Sequence, residues 1–170
     1  MRSLKDRAVL EVRKGKEISL SAESVLVLLR AVLERGVPFR FRAKGFSMSP
    51  FIRDGDIITI HPLAGKKPGT GEVVAFLHPK TGKVAVHRII RKSGDGFCLK
   101  GDNIPDMDGL VPRENILGFV KHIERRGKRA YLGLGPERRL IARVSGWKPF
   151  VGLVAAVRKL AHSRPRGKLV

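Results

Sequence analysis

The chain has 170 residues, a single cysteine, and 35 Lys+Arg against 15 Asp+Glu, a formal charge of +20. One cysteine excludes an internal disulfide framework or a zinc–thiolate cluster, while the length suffices for one domain with a real core and extensions. The charge calls for an anionic partner: nucleic acid, an anionic membrane surface or an acidic substrate.

No apolar stretch follows the charged start Met1-Arg2-Ser3-Leu4-Lys5-Asp6-Arg7, so it does not read as a secretory signal. No run reaches the roughly 20 apolar residues of a membrane span. The expected location is the cytoplasm, or the periphery of the cytoplasmic membrane.

Residues 1–20 are charged and weakly patterned, with Val9, Leu10 and Val12 fit for a short strand. Ser21 offers a helix N-cap, Glu23 suits the first turn and Gly36 the stop. Between them Val25 to Leu33 is apolar almost all round, which predicts a short helix packed on two sides or partly inserted in lipid. After Val37-Pro38 the pattern is strands and turns. Expected strands cover 39–42, 56–61, 72–77, 83–91 and 115–123, with Lys80-Thr81-Gly82 as a hairpin turn. Phe97-Cys98-Leu99 is an apolar run, and Cys98 reads as a buried thiol.

From Arg125 the composition turns to Arg, Lys, Gly and Leu. Residues 137–144 and 149–162 have helical potential. In the second, Phe150, Leu153, Val154, Val157 and Leu160 share a face flanked by Lys148, Arg158 and Lys159. Such a helix can lie in a membrane interface or dock on the core. Residues 162–170 read as a disordered basic tail. The expected organisation is a mainly β protein. Residues 1–36 form an extension with one helix, 37–124 a β core, and 125–170 a basic extension with helical segments.

Ser47, in Gly45-Phe46-Ser47-Met48-Ser49-Pro50, can be a plain turn serine or a presented nucleophile. Gly45 lets the chain bend, and Pro50 removes a donor and restrains its neighbour. Free amides beside a serine suit an oxyanion hole. A serine hydroxyl needs a base. His87, in the otherwise apolar Val84-Ala85-Val86-His87-Arg88-Ile89-Ile90, can be that base or a structural histidine. His61, His78, His122 and His162 lack a second unusual feature nearby. A histidine base works best with an acid that fixes its tautomer. Asp102, Asp106 and Asp108 are the candidates, with turn capping as their plain role. The register of a calcium loop is absent, and no cofactor or metal is called for.

Together, Gly45-Phe46-Ser47-Met48-Ser49-Pro50, Asp54-Gly55-Asp56, Gly71-Glu72-Val73-Val74, His87-Arg88 and Lys100-Gly101-Asp102-Asn103 resemble the type I signal peptidases and the self-cleaving repressor peptidases of the SOS type. The resemblance covers about residues 37–124, and its specificity lies in five boxes in order. It implies a signal-peptidase-like or repressor-peptidase-like β-ribbon core, with Ser47 as nucleophile. Much of the superfamily has a lysine base; His87-Arg88 is similar to the endoplasmic-reticulum and archaeal branch, which implies Ser/His/Asp chemistry. Asp108 fits the later acid position and Asp102 the Gly-Asp-Asn position. Asp108 is preferred as the triad acid, and Asp102 as a structural or orienting carboxylate.

Two departures matter. Gly45 stands where signal peptidases carry an oxyanion-donating serine, and no run of this sequence is expected to serve as the transmembrane anchor of those enzymes. The resemblance therefore implies a serine endopeptidase that removes a leader or signal peptide from a precursor bound as an extended strand, with peripheral contact to anionic membrane. The alternatives are a basic β regulatory module on nucleic acid, or a membrane-surface protein without proteolysis. Against nucleic acid, one helix precedes the core, too few for a helix-turn-helix, and one Trp and one Tyr leave little for base stacking.

Overall fold

A computed structural model describes residues 7–12 and 16–145. The protein is mainly β. Ten antiparallel strands form one sheet: β1 (Arg7–Val12), β2 (Lys16–Ser21), β3 (Phe39–Arg42), β4 (Ile57–Pro62), β5 (Val73–Leu77), β6 (Val84–Ser93), β7 (Gly96–Lys100), β8 (Met107–Pro112), β9 (Ile116–Arg125) and β10 (Lys128–Ala130). Their order is β2-β1-β3-β4-β9-β5-β6-β7-β8, with β10 on β9. Among the described residues the α-helices are α1 (Ala22–Glu34) and α2 (Arg138–Ser145). The sheet thus takes in strands on both sides of the 36/37 and 124/125 boundaries.

Successive strand residues face opposite sides, and both sides of the sheet centre are covered. Val73 and Ala75 of β5 join a core with Leu29, Leu33, Ile58 and Ile60. Their neighbours Val74 and Phe76 join a second core with Ile89, Leu99, Val111 and Phe119. β5 is therefore continuously apolar, as expected of a strand buried on both faces.

Ser21 caps α1, its hydroxyl accepting from Ser24 N at 3.1 Å. At the far end Gly36 takes a φ of +74°. Gly36 N donates to Leu33 O and Val37 N to Val32 O, the paired bonds of a Schellman stop. The expected two-sided packing of α1 is corrected. Val25, Leu29 and Leu33 form one buried stripe, while Val27 is 66% and Leu28 38% exposed. At four-residue spacing those three share one face, so only that face meets the sheet.

Four further strands lie where none was expected: β2, β7, β8 and β10. Residues 149–162 and the tail lie outside the described residues. Among the described residues no helix is long and apolar enough to cross a membrane.

Leu29 is fully buried beneath the sheet. Leu29→Ala should lower stability by about 2–5 kcal/mol, read as a lower urea midpoint with an unchanged slope.

Candidate active site

Ser47 sits in the loop between β3 and β4. That loop is tied by local bonds: Ser49 N donates to Phe46 O, and Phe51 N and Ile52 N to Met48 O. The side chains of Met48 and Ile52 plug it into the core. Gly45 holds a φ of +93°, and its amide donates to Asp54 Oδ1 at 2.8 Å. Asp56 accepts from Arg53 N and takes Arg125 on both oxygens, at 2.9 and 2.7 Å. This bond to Asp56 raises the Arg125 pKa further. The Asp54-Gly55-Asp56 turn is thus the brace of the serine loop.

Gly101-Asp102-Asn103 braces it from the other side. Asn103 N donates to Ser47 O at 2.8 Å, and Asn103 Nδ2 to Phe46 O at 3.1 Å. A Cβ on Gly101 would lie 2.7 Å from Ser47 O and 2.6 Å from Ile104, so only glycine lets the two loops touch. The amides of Ser47 and Met48 donate to no backbone carbonyl among the described residues.

His87 and Arg88 are neighbours on β6, so their side chains leave opposite faces. Arg88 is fully buried. Its Nε donates to Asp102 Oδ1 at 2.8 Å and its Nη2 to Oδ2 at 2.7 Å. Its Nη1 donates to Gly71 O at 2.9 Å and Gly133 O at 2.8 Å, and the guanidinium lies over the Phe51 ring. Ser145, the last described residue, donates to Asp102 Oδ1 at 3.4 Å. Asp102 is thereby committed to Arg88.

Asp108 lies on β8. Its Oδ2 accepts from His87 Nδ1 at 2.7 Å, and both side chains are 8% exposed. A carboxylate only accepts, so Nδ1 carries the proton and Nε2 is left as the basic nitrogen. Asp106 is exposed. Ser47 and His87 line one cleft of about 310 Å³, with Val25, Met48 and Ile58 at its floor and Val84 and Val86 along one wall. Among the described residues no hydrogen bond engages Ser47 Oγ; serine–histidine bonds of catalytic pairs are often long until substrate binds.

Of the other histidines, His61 and His122 pack on each other across β4 and β9 and neither lines the cleft. Burial lowers the His122 pKa, with Arg129 and His61 adding to it. His162 lies outside the described residues. His78 is the group sequence reasoning missed: its Nε2 stands 3.5 Å from Asp108 Oδ1. Lys100 is also buried here. Burial lowers its pKa, opposed by Asp102, Asp106 and Asp108. Among the described residues no group of three His, Cys, Asp or Glu is placed to hold a metal ion.

Fold and site together define a mainly β protein whose cleft holds a loop-borne serine beside a histidine–aspartate pair. The model of the family described as Peptidase S24-like matches residues 10–130, and the chain belongs to that family. Comparison with curated proteins gives no match.

Asp102→Ala strands the Arg88 charge in the core and should cost about 3–5 kcal/mol in denaturant unfolding. Asp108→Ala should cost less, because the partner it leaves is a histidine that can stay neutral.

Stability should also depend on pH through Glu137. The Glu137 carboxylate accepts from Gly133 N at 2.7 Å and Gly135 N at 3.1 Å, and the Gly133 bond leads in lowering its pKa below 4.5. With the folded pKa depressed, the unfolded chain binds more protons. Glu137 therefore stabilises fully above pH 4.5, and that contribution is lost as pH falls through the lowered value. Glu137→Gln should flatten that part of the stability–pH curve.

Proposed function

We propose that the protein is a serine endopeptidase that cuts a leader or signal peptide from a precursor, with Ser47 as nucleophile, His87 as general base and Asp108 as the acid that fixes the base. The observation that carries this reading is the 2.7 Å His87–Asp108 bond on a histidine that shares its cleft with Ser47. Asp102 takes a structural role through Arg88.

Ser47 Oγ attacks the scissile carbonyl carbon and passes its proton to His87 Nε2. The carbonyl electrons move to oxygen, where the Ser47 and Met48 amides stabilise the oxyanion. Collapse breaks the C–N bond, and His87 returns the proton to the departing amine. Water then repeats the sequence on the acyl-enzyme, releasing the acid and restoring the serine. Asp108 holds His87 in the Nδ1–H tautomer throughout and balances the imidazolium.

The precursor segment binds as an added strand. In support, residues 84–87 of β6 pair with β5 on one side, whereas pairing with β7 starts only at Arg88. Among the described residues no strand pairs with the main-chain edge beside His87 on its cleft side, and open strand edges accept peptides by β-augmentation. The apolar floor favours an apolar segment at the scissile bond. The charge of +20 supports peripheral contact with an anionic membrane surface carrying the precursor.

The test is mass spectrometry of precursor peptides incubated with the purified protein. Ser47→Ala and His87→Ala should each lose cleavage by roughly 10⁴-fold or more, and Asp108→Asn by a comparable factor, through the wrong tautomer. Undiminished cleavage by Ser47→Ala protein would overturn the reading.

A further inference from the structure

The acid of the pair has a second imidazole on its other oxygen. His87 occupies Asp108 Oδ2 at 2.7 Å, and His78 Nε2 faces Asp108 Oδ1 at 3.5 Å. Two features make His78 a directed group rather than a neighbour. First, the Lys80 amide donates to His78 Nδ1 at 3.2 Å, so that nitrogen carries no proton and the ring proton of neutral His78 sits on Nε2, toward the carboxylate. Second, Phe76, fully buried, packs against both rings, 6.0 Å from His78 and 5.7 Å from His87 between centroids. One apolar ring thus sets the spacing of two imidazoles about a single carboxylate that is 8% exposed. His78 itself is held by the hairpin, its amide donating to Lys83 O at 2.9 Å.

We propose that His78 is a positioning residue for the peptidase reaction: its Nε2–H steers Asp108 so that Oδ2 stays on His87 Nδ1. The inference rests on the serine-peptidase reading given above. A carboxylate with one oxygen bonded is free to swing about its side-chain torsions, whereas one steered on both oxygens is not. At 3.5 Å the His78 contact is longer than a formed hydrogen bond. Its role is therefore electrostatic steering in the resting site, and the contact can shorten once substrate closes the cleft. The requirement is a neutral N–H donor, which glutamine also supplies and phenylalanine does not.

The test has two arms. By NMR on the wild-type protein, the nitrogen shifts of His78 should show the Nε2–H tautomer, and His87 should show a slowly exchanging Nδ1–H. In His78→Phe the His87 Nδ1–H signal should weaken by exchange, and His78→Gln should restore it. In the cleavage assay, His78→Phe should lower kcat about 10- to 100-fold with KM little changed, with His78→Gln returning most of the loss. A His78 ring protonated on Nδ1 would overturn the proposal, as would a His78→Phe protein with wild-type His87 signal and kcat. The wild-type tautomer measurement stands even if His78→Phe does not fold. Should Ser47→Ala still cleave, the peptidase reading fails alone, since the NMR arm reports on the Asp108–His87 geometry without turnover.

Discussion

The buried pair of Arg88 and Asp102 is the interaction on which the rest of this structure hangs. Taking a guanidinium and a carboxylate out of water costs several kcal/mol per ion even after relaxation. The pair persists because the acceptors are all in place: two carboxylate oxygens and the carbonyls of Gly71 and Gly133. Those acceptors come from the turn after β7, the loop before β5 and the loop before α2. One side chain thus gathers three connections that no strand ladder joins, behind the strand that carries His87. The geometry around it leaves no slack, since a Cβ on Gly71 would meet Arg138 O at 2.8 Å and one on Gly133 would meet Phe51 at 2.7 Å.

Serine and histidine are brought into one cleft by a tripeptide. Gly101 lets the loop approach Ser47, Asp102 holds Arg88, and Asn103 holds the Phe46 and Ser47 carbonyls. Each member acts on a different partner, so the motif works as a spacer between the Ser47 loop and the strand that carries His87. Asp108 arrives separately on β8, and its pairing with His87 depends on the register of β7 with β8, which shifts between Cys98 and Lys100.

Much of the sheet was legible in the sequence. β3, β4, β5, β6 and β9 are apolar or alternating runs bounded by Gly, Pro and Asp turns, and such punctuation survives in the fold. β7 is less legible because its apolar run is only Phe97-Cys98-Leu99, set between Gly96 and the charged Lys100 that the fold nonetheless buries. β8 contains Asp108, Gly109 and Pro112, residues depleted in strands, and tertiary pairing overrides that preference. Ser47 and His87 were readable as candidates from residue type and neighbours. The preference for Asp108 over Asp102 rests in the sequence on motif position alone, because which carboxylate meets His87 and which meets Arg88 turns on which strand each faces. His78 was invisible for the same reason: nothing local marks a histidine whose partner is 30 positions away.

His87 and Arg88 are adjacent letters with incompatible destinations, one at the wall of a solvent cleft and the other sealed in the core. A slip of one residue in β6 exchanges the faces of its whole side-chain set. Here it would aim the guanidinium at the cleft and bury an imidazole opposite Asp102, stranding a carboxylate and abandoning two carbonyls. The dipeptide is therefore its own proofreading device for strand register. Any assembly error that would misplace the histidine also breaks the arginine's bonds, so a misregistered sheet loses fold and site together.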